Sequence, residues 1–206
     1  MKRKTRFILS LAVILPMLTV GVAWADEGTN TTTSSDQETG KTTMSERIES
    51  HKTAFKTRLS TLQQANIKAK CKNAQGIVKS TSVRIKGVET SRKQVYTNLV
   101  NRLTKMSTQL KDQGLDTTTL DSQIDELKTK IATFETDMSS YQQAISDLQE
   151  MNCMADPTGF KASLEAARTA RAQVLSDSVA IKDYVKNTIK PTLEDLHKQL
   201  ESQEEQ

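Results

Sequence analysis

Between residues 120 and 148 the apolar positions are Leu120, Ile124, Leu127, Ile131, Phe134, Met138, Tyr141, Ile145 and Leu148, spaced alternately by four and three residues. Nearly everything between them is polar. Such alternation keeps one narrow stripe turned toward a partner helix, so the stretch predicts the seam of a left-handed coiled coil. A looser version continues on both sides. Upstream it runs through Ile85, Val88, Val95, Leu99, Leu103, Met106 and Leu110, with Arg92 and Arg102 at seam-like positions and with Gly76 and Gly87 lowering helix propensity. Downstream it runs through Phe160, Leu164, Ala167, Val174, Ile181 and Val185, with Arg171 and Ser178 as polar members.

Start and stop signals divide the pattern. Thr43-Met44-Ser45-Glu46 has capping-box spacing and predicts a first helix from Met44 to about Ala65. Gly114-Leu115-Asp116 predicts a tight turn, with Gly114 in a left-handed conformation, Asp116 as N-cap and Leu115 packed on Leu120. Asp156-Pro157 predicts an N-cap followed by proline at the first helical position. Pro191 is expected to end or kink that helix near Ile189, leaving a short terminal helix through Leu193, Leu196 and Leu200. The expected fold is all-α: a long antiparallel helical hairpin with its tip near 113–116, a third helix packed alongside, and a short helix in front. The bundle should cover residues 44–200, with 201–206 as a frayed tail.

The first 25 residues read differently. Lys2, Arg3, Lys4 and Arg6 precede an apolar run from Phe7 to Val22, and Ala23-Trp24-Ala25 precedes Asp26-Glu27. A basic region, an apolar region and a small-x-small site together predict a signal peptide over residues 1–25, with an uncleaved anchor as the competing reading. The Thr/Ser-rich residues 26–43 predict a flexible linker. Removing the four basic leader residues from the 29 Lys and Arg leaves 25, equal to the 25 Asp and Glu. A near-neutral mature chain lacks the usual electrostatic signature of nucleic-acid binding, and no stable membrane span is expected once the leader is gone.

Charge is nevertheless unevenly placed. Residues 69–113 carry ten Lys or Arg against two acids, and residues 116–152 carry two Lys against eight acids. The simplest expectation is intramolecular, with one arm pairing with the other and the flanking charges fixing register. The competing expectation is an anionic polymer or membrane surface bound through Lys70, Lys72, Lys79, Arg84, Lys86, Arg92 and Lys93.

Cys71 and Cys153 are the only cysteines. In an exported chain two cysteines predict a disulfide. Counting from Gly114, they lie 43 residues up one arm and 39 down the other. At about 1.5 Å per residue they differ by roughly one helical turn, so both belong to the open end of the hairpin.

Catalytic patterns are sparse. His51 and His197 stand far apart in charged helical surroundings, with no second histidine at helical spacing. Gly-x-Ser-x-Gly, P-loop and dinucleotide signatures do not occur. The sequence therefore predicts no catalytic residue, no cofactor and no metal site.

Cys71 at the head of a long helix, Tyr96-x-x-Leu99, the Gly114-Leu115-Asp116-Thr117 turn, Cys153 closing the second arm and Ile189-Lys190-Pro191 ending the third resemble small exported helical proteins of candidate-phylum (Patescibacteria-type) bacteria. The resemblance spans residues 69–192 and implies architecture and compartment, with no functional residue carried over. Three roles are expected to compete. The first is a non-enzymatic structural or interaction protein of the periplasm, cell surface or extracellular space, offering helical faces to a protein partner or to itself. The second is a periplasmic holdase in the style of Skp or Spy, to which Leu59-Ser60-Thr61-Leu62-Gln63 offers a partial motif match. The third is the anionic-surface binder already described.

Overall fold

α1 (Met44–Ala54) starts at a reciprocal cap. The Glu46 N–H donates to Thr43 Oγ1 at 3.3 Å, and the Thr43 N–H donates to Glu46 Oε2 at 2.6 Å. These bonds use two of the amide donors that a helix start leaves unpaired. The computed structural model describes residues 42–55 and 59–204, so the expected leader, nearly all of the linker and the last two residues lie outside the described residues. The described helices belong to one unit, residues 41–206.

The first helix is shorter than its periodicity predicts. It leaves helical geometry at Phe55, whose N–H still reaches His51 O at 2.8 Å, and the next helix begins at Thr61. The reason is a second capping box: Ser60 Oγ accepts from the Gln63 N–H at 3.3 Å and Gln63 Oε1 accepts from the Ser60 N–H at 2.9 Å. Leu62 just beyond it is 79% exposed, so no packing holds a continuous helix through this point against that start signal.

α2 (Thr61–Asp112) has 52 residues and a length of about 78 Å at 1.5 Å per residue. It ends in a Schellman motif: Leu115 N–H bonds to Leu110 O at 3.1 Å, Gly114 N–H bonds to Lys111 O at 2.9 Å, and Gly114 takes φ of 87°. α3 (Thr118–Glu150) follows at once. Here the N-cap is Thr117, not Asp116. Asp116 instead accepts from the Thr118 N–H at 2.9 Å, a side-chain turn that competes with capping.

Contacts between α2 and the following chain run in opposite directions. Near the tip Ser107 donates to Asp121. Farther along, the Tyr96 ring meets Phe134 edge-on at 5.2 Å, and Gln142 donates to Glu89. At the far end the Gln75 side chain donates to Met151 O at 3.0 Å. This is the contact pattern of an antiparallel pair.

α4 (Pro157–Tyr184) is capped by Asp156, whose Oδ1 accepts from the Gly159 N–H at 2.9 Å. It packs along α3, and α1 packs against α4. Pro191 does not end the helix. A single π-helical turn, Val185–Ile189, precedes it, and α5 (Lys190–Glu204) carries on past Leu200 into the stretch expected to fray. A proline cannot donate to the carbonyl four residues back and its ring crowds that carbonyl; a wider turn upstream relieves both problems. This junction is tied to α3: Tyr184 Oη donates to Glu126 Oε2 at 2.9 Å, and the Gln123 amide donates to Thr192 Oγ1 at 2.9 Å.

The molecule is thus an all-α bundle, with no strand among the described residues. Phe134, Leu120, Leu127, Leu148, Ile189 and Cys153 have almost no exposed surface.

Candidate functional site

The open end of the α2–α3 pair is pinned by four devices. Cys71 and Cys153 form a disulfide with a Cα–Cα distance of 5.6 Å, and both are buried. One helical turn along, Gln75 holds the Met151 carbonyl of the same loop. The remaining two devices belong to α1. Arg47 grips Asp147 with two bonds of 2.7 and 2.8 Å, and Lys52 reaches Asp156 at 2.7 Å. Gly159 makes room for the second of these. A Cβ at Gly159 would collide with Asp156 Oδ2 and stand 2.9 Å from Lys52 Cε.

Electrostatics at this end follow from burial and pairing. Burial works to raise the Asp147 carboxyl, but the Arg47 and Gln143 hydrogen bonds outweigh it and hold the group below the usual range. His51 is half-buried beside this pair, and burial pushes its imidazole below the ordinary histidine value. His197 sits elsewhere, 3.3 Å from Glu201 on α5. The Arg47–Asp147 pair spans one hundred residues of sequence, and no local signal announces it. Asp147→Ala is expected to release α1 while leaving α2 to α4 folded. Amide exchange in α1 should rise at least about tenfold, the factor that corresponds to ~1.4 kcal/mol, with only a small fall in Tm.

The nine seam residues lie along α3. Eight are buried, and Ile131 is half-buried beside a shallow groove of about 220 Å³ that Tyr96, Val100 and Lys128 also line. α3 contacts α2 and α4 at once, so one stripe serves two neighbours within the chain. Of the polar positions in the α4 stripe, Arg171 is exposed, and the Ser178 hydroxyl donates to Val174 O at 2.9 Å.

The expected charge pairing between arms does not take the form of ion pairs; the charge of Glu135 acts on Lys93 only from beyond ion-pairing distance. Among the described residues no ion pair joins the basic stretch 69–113 to the acidic stretch 116–152. Three of the α3 acids have cations elsewhere: Asp125 with Lys128 at 2.8 Å, Glu126 with Lys130 at 3.3 Å, Asp147 with Arg47. On α2, Lys93 pairs with Glu89 of its own helix at 2.9 Å. Register is carried instead by the apolar stripe and by neutral donors such as Gln142 and Ser107. Among the described residues no carboxylate lies within ion-pairing distance of the other α2 cations.

One acidic pair was not foreseen. Asp177 on α4 lies within hydrogen-bonding reach of Asp137 on α3; burial first, and then this like-charged neighbour, pushes its carboxyl up to about 6. Its Oδ2 is buried without a donor, and a proton shared with Asp137 supplies one. A raised folded value means that the fold gains from the proton at low pH and loses that gain as pH rises from about 4 through 6. Asp177→Asn should therefore raise Tm at neutral pH, with the advantage shrinking to nothing below about pH 4 in a thermal-melt series. A gap that stays constant across that range would contradict the shared proton.

Among the described residues no cluster of three or more His, Cys, Asp or Glu side chains could hold a metal ion, and no helix is long and apolar enough to cross a membrane. The Leu59–Gln63 pentad that approaches a chaperone motif is occupied as the α2 capping box. No known protein family, curated protein or solved structure matches the chain.

Proposed function

We propose that this is an exported, non-enzymatic interaction protein of the bacterial cell envelope or surface, presenting a disulfide-closed helical unit to a protein partner. The observation that carries the reading is the buried Cys71–Cys153 bridge, because structural disulfides persist in oxidising compartments. The leader-like residues 1–25 agree with that compartment. A surface contact is supported by the two described grooves, one beside Ile131 and one between α1 and α4, which are open and hold about 220 Å³ each.

Crosslinking in the native cells, followed by mass spectrometry, tests the reading. A single dominant partner, or links only between copies of the chain, is the expected outcome. Many unrelated exported proteins at low stoichiometry would replace it with a holdase role. An intact N-terminus at Met1 and reduced cysteines in material from cells would remove the export premise.

A further inference from the structure

One feature that neither the core nor the ion pairs absorb is the flank of α2 next to its buried positions Cys71, Val78 and Ile85. Four lysines recur there at strict seven-residue spacing: Lys72, Lys79, Lys86 and Lys93. At 1.5 Å per residue they form a row with steps of about 10.5 Å and a length of about 32 Å. Lys72, Lys79 and Lys86 are exposed, and among the described residues none has a carboxylate within ion-pairing distance; Lys93 meets Glu89 of its own helix. Among the described residues Glu89 is the one acid within ion-pairing distance of the row, so the charge along it is net positive.

We infer that the row is a docking surface for a flexible linear polyanion whose charges are phosphate groups. Each lysine acts as a compact, rotatable point charge, which suits a phosphate without requiring one fixed geometry. Evenly spaced point charges along a straight helix suit a chain that can adjust its own spacing.

Three other occupants fit less well. A second copy meeting this row through the same patch would bring the positive helix against itself. A flat anionic bilayer favours cations and apolar side chains on one face. Here Ile77, Val88 and Val95, all exposed, each stand two residues from a row lysine, which on a helix turning 100° per residue places them about 160° away. Only Val83 lies near the row. Single-stranded nucleic acid gains affinity from aromatic platforms. The one aromatic of α2, Tyr96, is buried against Phe134.

The test uses the full folded chain and fluorescently labelled inorganic polyphosphate. Two variants with equal charge loss are compared: Lys72→Gln/Lys79→Gln/Lys86→Gln on the row, and Lys182→Gln/Lys186→Gln/Lys198→Gln on exposed positions of α4, the π-helical turn and α5. Wild type should bind at low salt, with affinity falling by about 0.7 log units per engaged phosphate for each tenfold rise in salt. The row variant should lose at least about tenfold in affinity and most of that salt slope, while the control stays within about threefold. Circular dichroism of both variants should match wild type, since all six side chains are exposed. No binding to polyphosphate at low salt, equal losses in the two variants, or binding confined to vesicles rich in phosphatidylglycerol would each overturn the inference. None of those outcomes bears on capture of a protein partner, so the two proposals fail separately.

Discussion

Replacing Cys71 and Cys153 together by serine is expected to lower stability by about 4 kcal/mol, the loop-closure contribution for a bridge spanning 82 residues. For a helical unit of this size that corresponds to a fall in Tm on the order of 10 °C. The bridge joins two buried sulfurs that belong to the core cluster, so serine also places unpaired hydroxyls there. Unfolding the wild-type chain with and without reductant separates the two effects, because reduction removes the bond and keeps the sulfurs. A shared loss in the variant and the reduced wild type assigns the stabilisation to the closed loop. An unchanged midpoint under reductant would mean that Gln75, Arg47 and Lys52 hold this end without it.

Phe134→Ala should cost about 3–5 kcal/mol. Phe134 is 1% exposed on the face of α3 toward α2 and receives the edge of the Tyr96 ring at 5.2 Å. Truncation leaves a cavity between two long helices that cannot collapse independently of Leu127 and Met138 on either side. It also removes the aromatic pair, worth roughly 0.5–1.5 kcal/mol beyond area. Phe134→Leu should recover most of the loss. Val83→Ala, on the same bundle but 72% exposed, should stay within about 0.5 kcal/mol in denaturant titration. A comparable loss at Val83 would show that the outer side of α2 is covered.

How much of this was legible in the sequence depended on whether the signal was local. The seam from Leu120 to Leu148 repeats regularly because α3 is the central helix and must satisfy neighbours on two sides, so almost no polar residue is tolerated on its stripe. The turn at Gly114 and the cap at Asp156 depend on neighbouring backbone groups, and their residue types state the geometry directly. The break between α1 and α2 was hidden by apolar periodicity that continues through it, although Ser60 and Gln63 carry the same capping-box spacing that marks Thr43 and Glu46. Periodicity reports which face would be buried, whereas a cap reports where a helix must begin, and here the cap prevails.

The charged residues were read least well. Opposite net charge on two arms suggests attraction between them, but an exposed carboxylate on a helix meets a lysine three or four residues away before it meets the opposite arm. Asp137 and Asp177 lie forty residues apart and approach only because α4 folds back along α3. Nothing in either local neighbourhood encodes their proximity. The same holds for Arg47 and Asp147, whose partnership depends on where the short first helix comes to rest.

The position of the disulfide also determines how the chain carries tension. A pull applied to the segments before Cys71 and after Cys153 passes from one to the other through the sulfur bond. Residues 72–152 then hang outside the load path as a side loop. About 280 Å of extended chain is withheld from stretching, at roughly 3.4 Å for each of the 82 residues of separation. α1, α4 and α5 lie in the load path and would yield first, while the α2–α3 arm carries no tension.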